Sequence, residues 1–210
     1  LMVWVALDRA IRMSERFGLD GDVARWRAAR KRVHVAILDE GYDRDVGAFV
    51  QAFGTKTLDA ANLLIPIAGL LPFDDPRVQS TIDRTLEHLT RDGLVYRYHA
   101  DDGVAGGEGA FLLTTFWMVD ALALSGRVQE AEEMFDAMVA RASPLGLYAE
   151  EVDPATGAML GNFPQGFSHI GFINSALYLS RAAGREAPGP APMGSRGFRR
   201  ELGHDPGAAA

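Results

Sequence analysis

The helical segments of this 210-residue chain come in two alternating kinds, and that alternation limits the fold more than any other feature. The segments over 58–71 (Leu63, Leu64, Ile65, Ile67, Leu70, Leu71) and 108–124 (Phe111, Leu112, Leu113, Phe116, Trp117, Val119) are apolar around most of their circumference. The segment that begins at Asp75-Pro76 and stops at Gly93 (Val78, Ile82, Leu86, Leu89) and the one over 128–141 (Val128, Ala131, Phe135, Met138) carry a single apolar stripe. A helix apolar all round must be buried, and a striped one lies on the outside. Inner and outer helices in strict alternation require two concentric layers of helical hairpins. Three further helices are expected, over 1–16, 22–38 and 167–183, with stops at Gly18, Gly41 and Gly184.

The connections alternate as well. Links from inner to outer helices are short: Pro72-Phe73-Asp74 and Ser125-Gly126-Arg127. Links from outer to inner helices, at about 41–57, 93–107 and 143–166, are long and recur at intervals of roughly 50 residues. All of the long links then emerge on one rim, where a site is expected. Two contain the same pattern, Asp43-Arg44-Asp45-Val46-Gly47-Ala48-Phe49 and Asp153-Pro154-Ala155-Thr156-Gly157-Ala158-Met159. Each reads as a turn between short strands, with glycine where φ must be positive. From Arg185 onward Pro188, Pro190 and Pro192 among Gly, Ala and Arg break every periodicity, so the chain divides into a helical domain over 1–184 and a tail over 185–210 expected to be disordered.

Charge and composition remove several classes of function. A net charge of −7 argues against a nucleic-acid partner, which needs clustered Lys and Arg. With no cysteine there is no disulfide, thiolate metal site or Cys nucleophile, and His34, His88 and His99 have no ligand spacing, so neither a metal nor an organic cofactor is expected. No apolar run approaches the roughly 18 residues that cross a membrane, and a cytoplasmic location is expected. The opening Leu1-Met2-Val3-Trp4 has no capping residue ahead of it, which points to further sequence upstream.

The second and third long links hold the chemistry. The second has Tyr96-Arg97-Tyr98-His99, Asp101-Asp102 and Gly106-Gly107-Glu108; the third has Tyr148-Ala149-Glu150-Glu151 and Gly161-Asn162-Phe163-Pro164-Gln165-Gly166-Phe167-Ser168-His169. Aromatic faces beside Arg, carboxylates, Asn and Gln suit a sugar, and glycoside hydrolysis usually needs two carboxyl groups across the scissile bond. Each residue also has a plainer reading. Glu150 and Glu151 are adjacent, so in an extended segment they point to opposite faces and only one enters a given pocket; both could be solvated loop carboxylates. Glu108 and Asp59 suit the first turn of a helix. Arg97 could pair with Asp101 or Asp102, His169 could serve a helix start, and Phe116 and Trp117 read as core.

The stretch Gly106-Gly107-Glu108-Gly109-Ala110-Phe111-Leu112 with Phe116-Trp117, then Ala149-Glu150-Glu151-Val152-Asp153-Pro154, then Gly161-Asn162-Phe163-Pro164-Gln165 with Phe167-Ser168-His169, resembles glycoside hydrolase family 15, the glucoamylases, glucodextranases and certain bacterial trehalases. Trp4-Val5-Ala6-Leu7-Asp8-Arg9-Ala10 also looks like a family helix, so the likeness covers about 1–183. It implies an all-α fold, a partial (α/α)6 toroid of helical hairpins with long loops on one rim, and hydrolysis of an α-glucosidic bond in trehalose or malto-oligosaccharides with inversion. It implies Glu150 as general base, with Glu151 as the fallback, and Arg97, Tyr98, Glu108, Gln165 and His169 as substrate-binding residues. The partner is then a small carbohydrate. The family's general acid belongs to a Trp-Glu-type segment ahead of the first helix, together with a β-sandwich and further inner helices. The chain alone is accordingly expected to be inactive, to leave one side of its core open, and to pair with a missing N-terminal part of the same protein. Two alternatives stay open: a helical binding module without chemistry, and an enzyme that uses Glu108 as its acid.

Overall fold

The computed structural model describes residues 1–99 and 109–185. Among these, seven α-helices and three small antiparallel sheets follow one another as outer-to-inner hairpins. Helices α1 (Met2–Phe17) and α2 (Val23–Glu40) form the first antiparallel pair. Gly18, at φ 63, ends α1 in the left-handed region, and the Asp22 carboxylate caps α2 through the Arg25 N–H at 3.0 Å. The buried Asp8 carboxylate of α1 binds Arg9, Arg12 and Arg30, and Arg9 continues to the Ala68 carbonyl at 3.0 Å. This cluster ties the first pair to the next inner helix.

That inner helix differs from the expected single segment over 58–71. It is a 3-10 turn, Ala60–Leu63, followed by a short α3, Leu64–Ala68. Asp59 caps the turn through the Ala61 N–H at 2.8 Å. Pro66 has no N–H to give the carbonyl four residues back, and Gly69 turns left-handed at φ 89, so the segment breaks in two and ends early. Helix α4 (Pro76–Leu89) starts as its Asp-Pro signal indicates, with the Asp75 carboxylate on the Arg77 N–H at 2.9 Å. The Arg77 side chain bonds the same carboxylate and holds it below the usual aspartate range.

Helices α5 (Leu112–Leu124), α6 (Val128–Val139) and α7 (Gly166–Ala182) complete the arc. Phe116, Met118, Val119 and Ala121 of α5 are fully enclosed, whereas α6 buries only Ala131 and Met138. The inner and outer assignments read from the periodicity therefore hold: α5 packs between the 3-10 turn and α7, with α6 outside it. Inside this core lies Asp120, whose carboxyl accepts a 2.5 Å bond from the Ser175 hydroxyl of α7. Burial pushes it up to about 8, so at neutral pH it is mostly an uncharged acid.

The described parts of the three long links fold at the end where α5 and α7 begin. Strands β1 (Tyr42–Asp43) and β2 (Ala48–Phe49) form the first hairpin. Strands β3 (Thr90–Arg91) and β4 (Leu94–Val95) form the second, turning through Asp92 at φ 52 and Gly93 at φ 75. Strand β5 (Ala110–Phe111) pairs with β6 (Glu151–Val152), which pairs with β7 (Met159–Leu160). The helix expected from 108 consequently begins at Leu112, because residues 110–111 are spent on the ladder. These pieces are stitched together. Asn62 donates to the Phe49 carbonyl, Ala60 to the Arg97 carbonyl, and the Val95 N–H to the Thr115 hydroxyl of α5. One rim thus gathers the loops, as the connection pattern requires.

At the two ends of the arc apolar side chains face outward: Met2, Val3, Met13 and Phe17 on α1, and Phe167, Ile170 and Ile173 on α7. Spacings of three residues put the α7 trio on one stripe. Of the tail, only Arg185 is among the described residues. No helix among the described residues is long and apolar enough to cross a membrane.

Candidate active site

The segment 148–152 runs between the starts of α5 and α7, and nearly every polar backbone group in it is spoken for. The Tyr148 N–H donates to His169 Nε2 at 3.4 Å and its carbonyl accepts from the Gln165 N–H at 2.9 Å. The Ala149 carbonyl accepts from the buried Ser168 hydroxyl at 2.7 Å. The Glu150 N–H donates to the Asn162 carbonyl at 2.9 Å, and its carbonyl accepts from the Leu112 N–H at 3.0 Å. Beneath it Tyr148 is sunk into an aromatic cluster, edge-on to Phe116 at 5.6 Å and against Phe172 at 5.5 Å, with its hydroxyl on the Met138 carbonyl. A residue whose neighbours are buried and whose backbone is paired has little freedom left, so Glu150 is presented from a rigid base.

The two carboxylates separate as adjacent residues of an extended segment must. Glu150 turns toward the 161–162 turn. Its Oε2 accepts from the Asn162 N–H at 3.1 Å and from Asn162 Nδ2 at 2.8 Å, and among the described residues Oε1 carries no partner. Glu151 lies on the other side, against Gly109 and Leu160: a Cβ added to Gly109 would stand 2.8 Å from its Oε2. Both glutamates are half-buried.

The remaining expected residues fall into two groups. Gln165 and His169 join Glu150 through the Tyr148 segment. The Gln165 side-chain oxygen accepts from the Phe167 N–H at 3.4 Å at the start of α7, and His169 Nδ1 donates to the Gln165 carbonyl at 2.7 Å. Both ring nitrogens of His169 therefore engage backbone groups of the fold. Arg97 and Tyr98 form a pair of their own just after β4: the guanidinium lies 4.5 Å from the Tyr98 ring centroid and donates to its hydroxyl. Glu108, with Asp101 and Asp102, lies outside the described residues. Phe116 is core, as expected, and Trp117 packs, partly buried, against the hydrophobic cluster that includes Met118, Val119 and Leu122. Among the described residues there is no group of three His, Cys, Asp or Glu that could hold a metal.

Asn162 received no role from the sequence, although its motif was visible. Its two bonds to Glu150 join positions 12 residues apart across the third link. The signal for it is the glycine ahead of it: Gly161 sits at φ 71, and a Cβ there would lie 2.9 Å from Glu150 Oε2. Only a residue without a side chain lets that turn close on the carboxylate.

Comparison with known proteins identifies the family. The model of the glycosyl hydrolases family 15 matches residues 1–177. A trehalase of Mycobacterium tuberculosis is 42% identical over 202 residues, covering 92% of this chain and 30% of that protein. A trehalase of Thermoplasma volcanium is 40% identical over 183 residues, covering 87% and 29%. The chain thus spans about a third of the length of these relatives. Among solved structures, a wild-type glycosidase superposes with a TM-score of 0.67 at 22% identity, over 83% of this chain and 48% of that one. A glycosidase E335A variant in complex with glucose superposes equally well, and at this identity the likeness concerns the fold.

Proposed function

The chain belongs to glycosyl hydrolase family 15, and we propose that it supplies the general-base half of an inverting hydrolase that splits trehalose into two glucose molecules. The observation that carries the reading is Glu150, held at the helix-start rim with one carboxylate oxygen on Asn162 and the other without a partner among the described residues. Trehalase relatives about 40% identical over most of the chain support trehalose ahead of malto-oligosaccharides.

In this reading a water bound at Glu150 Oε1 loses a proton to the carboxylate as its oxygen bonds to the anomeric carbon from the face opposite the leaving sugar. The bond to the leaving oxygen breaks, and that oxygen takes a proton from a carboxylic acid contributed from outside residues 1–210. The glucose formed at the attacked carbon is the β-anomer, and the leaving glucose, whose own anomeric bond is untouched, is the α-anomer. Arg97 and Tyr98 bind substrate hydroxyls, the guanidinium being oriented by the ring and hydroxyl beside it. Gln165 offers its amide at the start of α7, and His169 serves the same end by holding Tyr148 and Gln165 in place. Glu108 remains a substrate-binding assignment carried by the family likeness. Glu151 is the fallback for the base.

The test is glucose release from trehalose, maltose and longer α-glucans by the full-length enzyme, with the product anomer followed by NMR. Glu150→Gln should lower kcat on trehalose by about 1000-fold or more, the order expected when the group that activates the nucleophile is removed, while Glu151→Gln retains most activity. Loss confined to Glu151→Gln would transfer the role. No release from any substrate would make the chain part of a sugar-binding module, and residues 1–210 alone should release no glucose.

A further inference from the structure

We propose that Asn162 is a positioning residue for this reaction, whose backbone and side-chain N–H groups seize one oxygen of the Glu150 carboxylate and thereby aim the other at the attacking water. The inference rests on the reading of Glu150 as the base and adds what that reading leaves open: how a half-buried, flexible glutamate side chain holds one orientation.

Both Asn162 donors converge on Oε2, at 3.1 and 2.8 Å. A symmetric clamp would place one donor on each oxygen and leave neither free to accept a proton from water. Here the load is on one side only, and among the described residues Oε1 has no partner. A carboxylate with one oxygen fixed by two hydrogen bonds can no longer rotate about its terminal bond, so the position of Oε1 is set as well. Gly161 makes the approach possible, since a side chain there would meet Oε2 at 2.9 Å and the Glu150 Cβ at 3.0 Å. The clamp is itself anchored, because the Asn162 carbonyl accepts from the Glu150 N–H at 2.9 Å. Glu150 and Asn162 therefore grip each other through three bonds, two of which survive any change of the Asn162 side chain.

That survival makes the side-chain contribution separable. Asn162 is exposed, so its substitution opens no cavity. The experiment compares wild type, Asn162→Ala, Asn162→Asp and Glu150→Gln in the full-length enzyme on trehalose, with kcat and KM measured separately and thermal melts as the control for folding. Asn162→Ala should lower kcat by about 10- to 100-fold, the value of one hydrogen bond to a charged group, with KM within about threefold. Asn162→Asp keeps the shape but sets a carboxylate against Glu150 Oε2, so at neutral pH it should be slower than Asn162→Ala. A residue that merely fills space would rank the two the other way. Asn162→Asp equal to or faster than Asn162→Ala overturns the proposal, as does a wild-type kcat in Asn162→Ala. If Glu150→Gln is dead in that same experiment, the base assignment stands while the positioning role falls. An active Glu150→Gln would overturn both.

Discussion

Two hairpins of the rim share a turn. In the first, the Asp43 carboxylate accepts from the N–H groups of Asp45 and Val46, and Gly47 at φ 70 returns its N–H to the Asp43 carbonyl. In the third, the Asp153 carboxylate accepts from the Ala155 N–H and the Thr156 hydroxyl, and Gly157 at φ 72 does the same for the Asp153 carbonyl. Beyond the turn they diverge. The returning strand of the first, Ala48–Phe49, is fully buried against α4, with the Phe49 N–H on the Thr81 hydroxyl. The returning strand of the third, Met159–Leu160, is exposed, and leads directly into the Gly161-Asn162 clamp on Glu150. One turn chemistry thus serves a core element in one place and a carboxylate mount in the other. The difference lies in what each strand meets.

If that contrast is sound, substitutions that act through packing should separate the hairpins and substitutions in the turn should not. The largest effect is expected at Phe49. Phe49→Ala empties an enclosed site and should cost about 3–5 kcal/mol in denaturant unfolding, whereas Leu160→Ala should cost less than about 1 kcal/mol. Equal losses would break the comparison.

Aspartates extend the contrast to charge. Asp153 is half-buried at the rim and is held low by the Thr156 hydroxyl and backbone N–H groups of its own turn. Asp120 is raised to about 8 by tertiary burial, against the Ser175 bond that lowers it. A carboxyl with a raised folded-state pKa stabilises the fold fully below its unfolded value near 3.8, and the contribution is lost as pH rises through about 8. Wild type should therefore lose stability between pH 4 and pH 8 relative to Asp120→Asn, by about 5 °C in Tm or more. Parallel Tm curves for the two proteins would contradict the burial.

Glycine offers a finer cut. Gly157→Ala meets open space and bears only the left-handed backbone, about 1–2 kcal/mol. Gly161→Ala bears the same strain and in addition drives a methyl into Glu150 Oε2. Its kcat should fall by about tenfold or more while Gly157→Ala stays near wild type, as reorienting a catalytic group by a fraction of an ångström would require. The smallest effects belong to the shared turn: Asp43→Ala and Asp153→Ala should each cost about 0.5–1 kcal/mol in chemical unfolding, alike within error.

Much of this was legible because it is local. Apolar periodicity separated α5 from α4 and α6, and Asp75-Pro76 marked a helix start. The Asp-x-x-x-Gly pattern located two hairpins. The second hairpin was missed even though Asp92-Gly93 is a strong turn signal, because the helix before it was read through to Gly93. Pro66 was passed over inside an apolar run. Strand β5 was invisible in principle: Ala110-Phe111 becomes a strand only because Glu151-Val152 lies beside it, some 40 residues later. Motif likeness marked Glu150 as the candidate base, but nothing near it in sequence named Asn162 as its holder.

By itself the sequence determined what each short segment can be: inner or outer helix, turn or link, and which residue types reach the rim. These depend on side chains within a few positions of one another. Only the tertiary structure decided which of two similar turns leads into the mount of Glu150, that Asp120 stays mostly uncharged inside the core at neutral pH, and that one oxygen of Glu150 is occupied while the other has no partner among the described residues. Those outcomes depend on distance and burial between residues far apart in the chain, which local periodicity does not encode.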